Sequence, residues 1–443
     1  MKQQRRKRAF PTEPIRVRVE SLTHDGRGIA RVEGQPVFIH GALPGEEITF
    51  IYTDKRRDYA EGRLVTVHTA AAERVEPRCP SFGVCGGCSF QHVADSAQIR
   101  LKQELLVEQF RRIGGLDEVP LAPPLTGPCW GYRDKARLGV KFVAKKGRVL
   151  VGFRERSSSF ITDLTACPVL HPAVGERLHE LSTLIAELSV RDRLPQIEVA
   201  VGEHRAALVF RILDDLTEAD EGALREFGHQ YNFDIYTQRQ GPDSVRLLYP
   251  EQLEFLSYRL DAQGVDFHFQ PTDFTQVNIE INRQMVNRVM EWLDPQPGER
   301  LLDLFCGIGN FSLPLATRAG QVVGVEGSAD AVRRARENAI ANQLTNVEFH
   351  EADLFEDLAD AVWASSAYDK VLLDPSRAGA ERVAEAMERW RPGRVVYVSC
   401  NPSTLARDAA ILIHKGGYRL VRTGVMDMFP QTAHVESIAW FEK

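Results

Sequence analysis

From Asp266 onward the chain alternates short apolar runs with stretches of helical periodicity, and that alternation leaves few folds open. Strands separated by helices build a doubly wound parallel sheet, whose ligands lie outside the carboxyl ends of its strands. The residues that terminate each apolar run therefore carry the most information. The run starting at Leu301 passes into Phe305-Cys306-Gly307-Ile308-Gly309-Asn310-Phe311, a loop whose two glycines let backbone approach a ligand. It lacks the third glycine of a pyrophosphate-binding loop, which argues against a dinucleotide. The next run ends at Glu326, a carboxylate at the spacing that suits ribose hydroxyls. Asp353 and Asp374 terminate the third and fourth. Either could cap a helix, but their shared place at the ligand edge favours function. The run Val395–Ser399 stops at Cys400, followed by the turn signal Asn401-Pro402. A free cysteine is by itself more commonly a small buried hydrophobe, so the neighbours of Cys400 decide whether it is a nucleophile.

Upstream, residues 15–67 alternate apolar and polar positions in short runs punctuated by Gly26, Gly28, Gly34, Gly41 and Gly45, the pattern of a small β-barrel. A cluster at Cys79, Cys85 and Cys88 comes next, rich in turn formers. Thiolates gathered on a loop favour a soft metal centre, zinc or iron–sulfur, with four ligands completing it. Cys167, followed by proline in a turn-like context, is the leading fourth ligand; Cys129 competes but reads as a packing residue. Seven cysteines, unevenly spaced, exclude a secreted disulfide scaffold. No apolar stretch approaches a membrane span and no leader core succeeds the basic start, so a cytoplasmic protein of about three domains is expected.

A net charge of −6 argues against a nucleic-acid partner only on average. Lys2, Arg5, Arg6, Lys7 and Arg8 form a basic tail, and between residues 131 and 160 nine lysines and arginines face only Asp134 and Glu155. Tyr132, Phe142, Phe153 and Phe160 interleave with them, as a phosphate-plus-stacking surface for RNA requires; a solvated sheet face is the plainer alternative.

The series Glu326, Asp353, Asp374-Pro375 resembles class I S-adenosylmethionine-dependent methyltransferases, and Gly26-Arg27-Gly28 with His40-Gly41-Ala42-Leu43-Pro44-Gly45 resembles a TRAM domain, an OB-like RNA-binding barrel. Taken with Phe274-Thr275-Gln276-Val277-Asn278, Asp374-Pro375-Ser376-Arg377, Ser399-Cys400-Asn401-Pro402 and His434-Val435-Glu436-Ser437, nearly the whole chain resembles the RNA uracil-C5 methyltransferases, in particular those acting on 23S ribosomal RNA. The resemblance implies an α/β fold of three parts: a barrel over residues 12–70 after a disordered tail at 1–11, a central α+β domain over 71–265 with an iron–sulfur site, and a Rossmann-like methyltransferase domain over 266–443 on which 93–124 packs. It also implies a [4Fe-4S] cluster on Cys79, Cys85, Cys88 and Cys167. S-adenosylmethionine would be bound by Gln276, Phe305, Asn310, Glu326, Asp353 and Asp374, and Phe274 would stack on the substrate. Ser376 departs from the proline or alanine usual in the family.

The chemistry explains the thiol. C5 of uracil is too weak a nucleophile to attack a sulfonium methyl until sulfur adds at C6 and pushes electron density to C5. The resemblance gives that role to Cys400, and to Glu436 the removal of the C5 proton; the bland reading of Glu436 is an exposed strand residue, and His434 reads as a packing neighbour. A base inside a helix presents neither atom, so the expected partner is an unpaired or flipped uracil of 23S rRNA, handled by a monomer away from membranes. Three alternatives remain: another 23S rRNA uracil or a tRNA uracil-C5 methyltransferase, a branch expected to lack the cysteine cluster and the barrel; a radical enzyme, whose C-x3-C-x2-C is absent; and a noncatalytic RNA-binding protein.

Overall fold

The computed structural model describes residues 13–252, 254–356, 358 and 361–443. The basic tail at 1–11 lies outside them. No helix among the described residues is long and apolar enough to cross a membrane.

Six strands form the N-terminal barrel, in the order Ile15–Arg18, Glu47–Lys55, Ala60–Thr69, Gln35–His40, Gly28–Val32, Ser21–Leu22. Alternation does the work here: Ile48, Phe50 and Tyr52 point inward along one strand and meet Val37, Ile39 and Ala30. Gly62 is required, because a Cβ there would lie 2.5 Å from the Phe50 ring.

The central sheet runs Val245–Tyr249, Phe233–Gln238, Ala206–Arg211, Gln196–Val201, Lys135–Val143, Arg148–Gly152. One pair, Ala206–Arg211 with Phe233–Gln238, is parallel, and its crossover is the helix Glu218–Tyr231. A capping box between Thr217 and Asp220 starts that helix, and Asn232 in the left-handed region ends it.

The C-terminal sheet has seven strands in the order Val347–Glu351, Gln321–Glu326, Arg300–Leu304, Lys370–Leu373, Arg394–Ser399, Glu436–Glu442, Arg419–Met426. The first five are parallel; Glu436–Glu442 is antiparallel to both neighbours. Apolar cores lie on both faces, which is why these strands read as continuous hydrophobic runs. Helix Asp95–Arg112 belongs to one of these cores through Leu106 and Phe110. The hairpin of Leu256–Leu260 and Val265–Phe269 joins the other, so a domain boundary at 265/266 would cut through a strand.

Side-chain ties join the parts. Glu46 of the barrel, fully buried, receives Leu43 N–H at 2.8 Å and Arg74 Nη2 at 2.8 Å, and the same guanidinium nitrogen donates to Gly41 O at 2.6 Å. Lys102, buried on helix Asp95–Arg112, donates to Asp427 Oδ1 at 2.7 Å and Phe429 O at 2.9 Å.

Candidate active site

Sheet register explains how Cys400 and Glu436 meet. Ser399, the last residue of a parallel strand, pairs with Ser437 of the antiparallel one. One step further along that pair lie Cys400 on one strand and Glu436 on the other, so both arrive at the carboxyl edge. Asn401 then caps the helix Pro402–His414, accepting Ser403 N–H at 3.1 Å, and Pro402 occupies its first turn. Asn401 Nδ2 also donates to Arg377 O at 2.9 Å, fixing the loop after Asp374.

This edge concentrates acids in a poorly solvated place. Burial, then the carboxylates of Glu436 and Asp374, push the Cys400 thiol up to about 11, partly opposed by the Arg377 guanidinium. Burial and then Asp374 raise Glu436 well above the ordinary carboxylate range, again against Arg377. Burial and Glu326 lift Asp374 to about 7. Glu436 is thus a buried carboxyl among acids, not an exposed strand residue. His434 reaches solvent at its edge, yet the packing around its ring and the charges of Arg377, Lys102 and Arg133 push it down to about 4, leaving a neutral imidazole whose Nδ1 lies 2.8 Å from Arg377 Nη2.

Beside this edge lies the ligand cradle. Phe305 sits at φ 66°, a conformation bulky residues rarely adopt, followed by Gly307 and Gly309 at positive φ. Gly307 N–H donates to Glu326 Oε2 at 3.1 Å and Ser328 N–H to Oε1 at 3.0 Å, so the carboxylate is aimed before any ligand arrives. Asn310 exchanges two 2.9 Å bonds with Asn282 and accepts a third from the Tyr258 hydroxyl. Asp353 lies two residues past its strand and accepts Phe355 N–H at 2.9 Å; the Phe355 ring stands 5.7 Å from that of Phe305. Gln276 and Phe274 lie on the loop before helix Ile279–Leu293, with Phe274 73% exposed. That loop is held from the central domain, where Lys135 Nζ donates to Pro271 O at 2.9 Å and to Asp273 O.

A cleft of about 1110 Å³ reaches Cys400 and Arg377. Its walls come from all three parts of the chain: His40 of the barrel, Cys88 of the cysteine loop, Arg156 of the central domain and His434 of the last segment. Arg156 bridges two of these walls, with Nη2 donating to Cys88 O at 2.7 Å and Nη1 lying 2.9 Å from His40 Nδ1. Sequence reasoning missed Arg156 as a bridge, and quoted Arg377 without giving it a task.

Cys79, Cys85, Cys88 and Cys167 are free thiols in one neighbourhood: burial first, and then the charges of Cys167, Cys85 and Cys79, push Cys88 up to about 12. Cys79 N–H donates to Gln91 Oε1 and Cys85 N–H to Ser81 O, shaping the tight loop; Cys167 N–H donates to Gly175 O. Among the described residues no three His, Cys, Asp or Glu side chains are grouped so as to hold a metal ion. Cys129 lies elsewhere, beside Asp95, Asp427 and Lys102.

The interleaved basic and aromatic stretch is not one surface. Tyr132 is buried with its hydroxyl on Pro430 O, Phe142 and Phe153 pack against the central core, and Lys135 is spent on the Phe274 loop; of the four aromatics only Phe160 is exposed. Strand alternation accounts for Phe142, half-buried between the exposed Lys141 and Lys145, while Tyr132 and Phe153 lie just outside the strands and are turned in by the loops that carry them.

Comparison with known proteins agrees with this geometry. Residues 174–443 match the family model described as tRNA (Uracil-5-)-methyltransferase, and residues 9–65 match that of the TRAM domain. The 23S rRNA (uracil(1939)-C(5))-methyltransferase RlmD of Methylococcus capsulatus is 58% identical over 99% of this chain and 99% of its own length. The protein of the same description from Alkalilimnicola ehrlichii is 52% identical over 99% of each chain. Among solved structures, the Pyrococcus abyssi tRNA (uracil-54, C5)-methyltransferase in complex with S-adenosyl-L-homocysteine aligns with a TM-score of 0.76 at 27% identity, covering 96% of this chain and 100% of that one. A tRNA-modifying relative thus spans almost the whole chain, and domain layout does not separate the two substrate classes.

Proposed function

The chain belongs to the RNA uracil-C5 methyltransferases, and on that premise we propose that it methylates C5 of the uracil numbered 1939 in 23S rRNA, with Cys400 as nucleophile and Glu436 as base. The observation that carries the reading is the convergence of Cys400, Glu436 and Asp374 at one sheet edge, where a cleft walled by every part of the chain reaches Cys400. The ribosomal rather than the transfer RNA substrate rests on relatives at 52% and 58% identity, against 27% for the tRNA enzyme.

Cys400 loses its proton to solvent in the open cleft, and as the thiolate forms the C6–S bond the C5=C6 π pair moves into an enolate with C5 as its carbanion-like end. S-adenosylmethionine supplies the electrophilic methyl group. Gln276, Phe305, Asn310, Glu326, Asp353 and Asp374 would hold it, with Glu326 toward the ribose and Asp353, bonded to Phe355 N–H, toward the adenine. Glu436, as the carboxylate, takes the C5 proton, after which the C6–S bond breaks and the thiolate leaves. A carboxylate of raised pKa is the stronger base, which suits Glu436 to this step. Arg377 moderates the acids around the thiol and holds His434 neutral and donor-paired. Phe274, exposed on a braced loop, offers a face to a uracil flipped from its stack.

The donor set of Cys79, Cys85, Cys88 and Cys167 suits a [4Fe-4S] cluster by its chemistry, four soft thiols of which Cys85 is buried and three half-buried, although among the described residues they are not drawn together into a metal-holding group. No step of the methylation needs it; bound there, it would brace the Cys88 wall of the cleft. Visible absorption and iron content of anaerobically purified protein check this, and zinc in place of iron would overturn it.

For the reaction itself, incubation with S-adenosylmethionine and 23S rRNA fragments carrying 5-fluorouracil at the target should give a covalent adduct, because fluorine cannot leave as a proton does. Absence of an adduct, or one that persists in Cys400→Ala, would sink the mechanism. Mapping 5-methyluridine in cells with and without the protein decides between ribosomal and transfer RNA.

A further inference from the structure

A second groove, of about 700 Å³, crosses the edge of the central sheet away from Cys400. Its lining side chains are mostly charged or amide-bearing, unlike those of the mostly apolar small-molecule sites. Register builds it: Arg211 pairs with Gln196 on one neighbouring strand and with Gln238 on the other, so the three side chains form a row on one face. Arg137 and Arg239 flank that row. Two of the three guanidiniums already have carboxylate partners, Arg137 with Glu198 at 3.1 Å and Arg239 with Asp215. Arg211 makes no ion pair among the described residues, and it is half-buried between Gln238 and Gln196, whose Nε2 already gives one bond to Glu198 at 2.9 Å and keeps a second N–H. Thr272 closes one end of the groove, two residues before the exposed Phe274.

We propose that this groove carries the single-stranded RNA backbone on one side of the target uracil, with a phosphate on Arg211 and the amides of Gln196 and Gln238 beside it. The inference rests on the reading of the chain as an RNA uracil methyltransferase. With Arg137 and Arg239 already paired, Arg211 is, among the described residues, the uncompensated cation of this groove on a molecule whose net charge is −6, a local feature and not a sample of a generally basic surface. A nucleotide chain stacked on Phe274 runs directly into the groove at Thr272. Guanidinium forks match phosphate geometry, and neutral amides add bonds to phosphate or the 2′-hydroxyl without demanding a particular base. The groove therefore sets affinity and register and leaves the choice of base to the active site.

The test compares wild type, Arg211→Glu and Arg211→Lys in the full chain, with matched melting temperatures as the folding control. Two RNAs are used: a 23S rRNA fragment with long flanks around the target uracil, and one reduced to a few nucleotides. For the long fragment, Arg211→Glu should raise Kd about tenfold and flatten the log Kd against log salt slope by about 0.7, the share of one single-stranded phosphate contact. Arg211→Lys should keep most of the affinity, and kcat at saturating RNA should not move. The short fragment should bind all three proteins alike. Unchanged binding of the long fragment, or equal weakening of both RNAs, would overturn the proposal. The binding arms judge the groove whether or not methyl transfer is seen, while methyl transfer by the wild type separately judges the active site.

Discussion

The edge that carries Cys400 and the loop that carries Cys88 face each other across one cleft, yet they are built in opposite ways. Cys400, Asp374 and Glu326 each lie at or just past the end of a hydrogen-bonded strand whose side chains are buried on both faces. Glu436 is placed by the register Ser399 to Ser437. The Cys88 wall has little regular structure and is held by isolated bonds reaching across the sequence: Gly86 N–H to Arg154 O and Ser89 and Phe90 N–H to Gln431 O in the backbone, and Arg156 to Cys88 O, Arg74 to Glu46 and Cys79 N–H to Gln91 through side chains. One wall is positioned by cooperative backbone pairing, the other by a few polar bonds. Damage to the first should be chemical and leave the fold intact; damage to the second should be structural.

The largest effects test the first half of that contrast. Cys400→Ala should reduce methyl transfer below detection while melting like the wild type, because the residue ends a strand whose pairing does not use its side chain. Glu436→Gln should slow turnover by about 10²–10⁴-fold and accumulate methylated RNA still joined to Cys400, visible as a slow band on a denaturing gel. If Glu436→Gln instead lowered activity and stability together with no trapped adduct, its carboxyl would be a packing element and the contrast would fail.

Long-range ties come next. Lys102 and Asp427 are 325 residues apart in sequence and both buried, so Lys102→Ala leaves a carboxylate stranded; a loss of about 3–5 kcal/mol is expected in denaturant unfolding. Replacing both, Lys102→Met with Asp427→Leu, should recover most of it. Arg74→Ala strands the fully buried Glu46 in the same way but at the barrel junction, and should cost about 1–3 kcal/mol. Its loss should appear as an early transition of the N-terminal part, with the later transition of the seven-stranded sheet unmoved. A single shifted transition would show the two regions to be one cooperative unit and break the comparison.

The same contrast decides what the sequence disclosed. The positions of Glu326, Asp374 and Cys400 were legible because buried parallel strands write themselves as apolar runs that end at the ligand edge, while Asp353 follows an edge strand, Val347–Glu351, that alternates and is found by its place in the series. Glu436 needed more, since its alternating context looks solvent-facing until the antiparallel register buries it. Phe142 misled for a related reason, since charge and ring alternate along its strand and alternation turns the ring toward the core, while Tyr132, ahead of that strand, is buried with its hydroxyl bonded to Pro430 O. Arg156 and Lys102 left no local trace at all, because a bond between residues over a hundred positions apart has no periodicity to display.

The smallest expected effect is also the most discriminating for the sheet edge. Asp303 is fully buried beneath the glycine loop; burial lifts it to about 8 against the Ser312 hydroxyl bond, and its Oδ1 has no partner. A carboxyl whose folded pKa exceeds its unfolded value of about 4 stabilises the fold fully below that value, and the contribution is lost as pH rises through about 8. Asp374, lifted to about 7, and Glu436 act with the same sign. Ligand-free protein should therefore melt progressively lower between pH 4 and 8. Asp303→Asn, neutral at every pH and still able to accept from Ser312, should remove part of that decline, read as a melting-temperature difference between the two proteins that grows from pH 4 to 8. It should leave the pH dependence of the Arg74→Ala transition untouched. A decline that Asp303→Asn does not alter would mean the carboxylate stays ionised in the core. The acids at this edge would then be balanced by solvent, and the low-dielectric setting assigned to Cys400 and Glu436 would have to be given up.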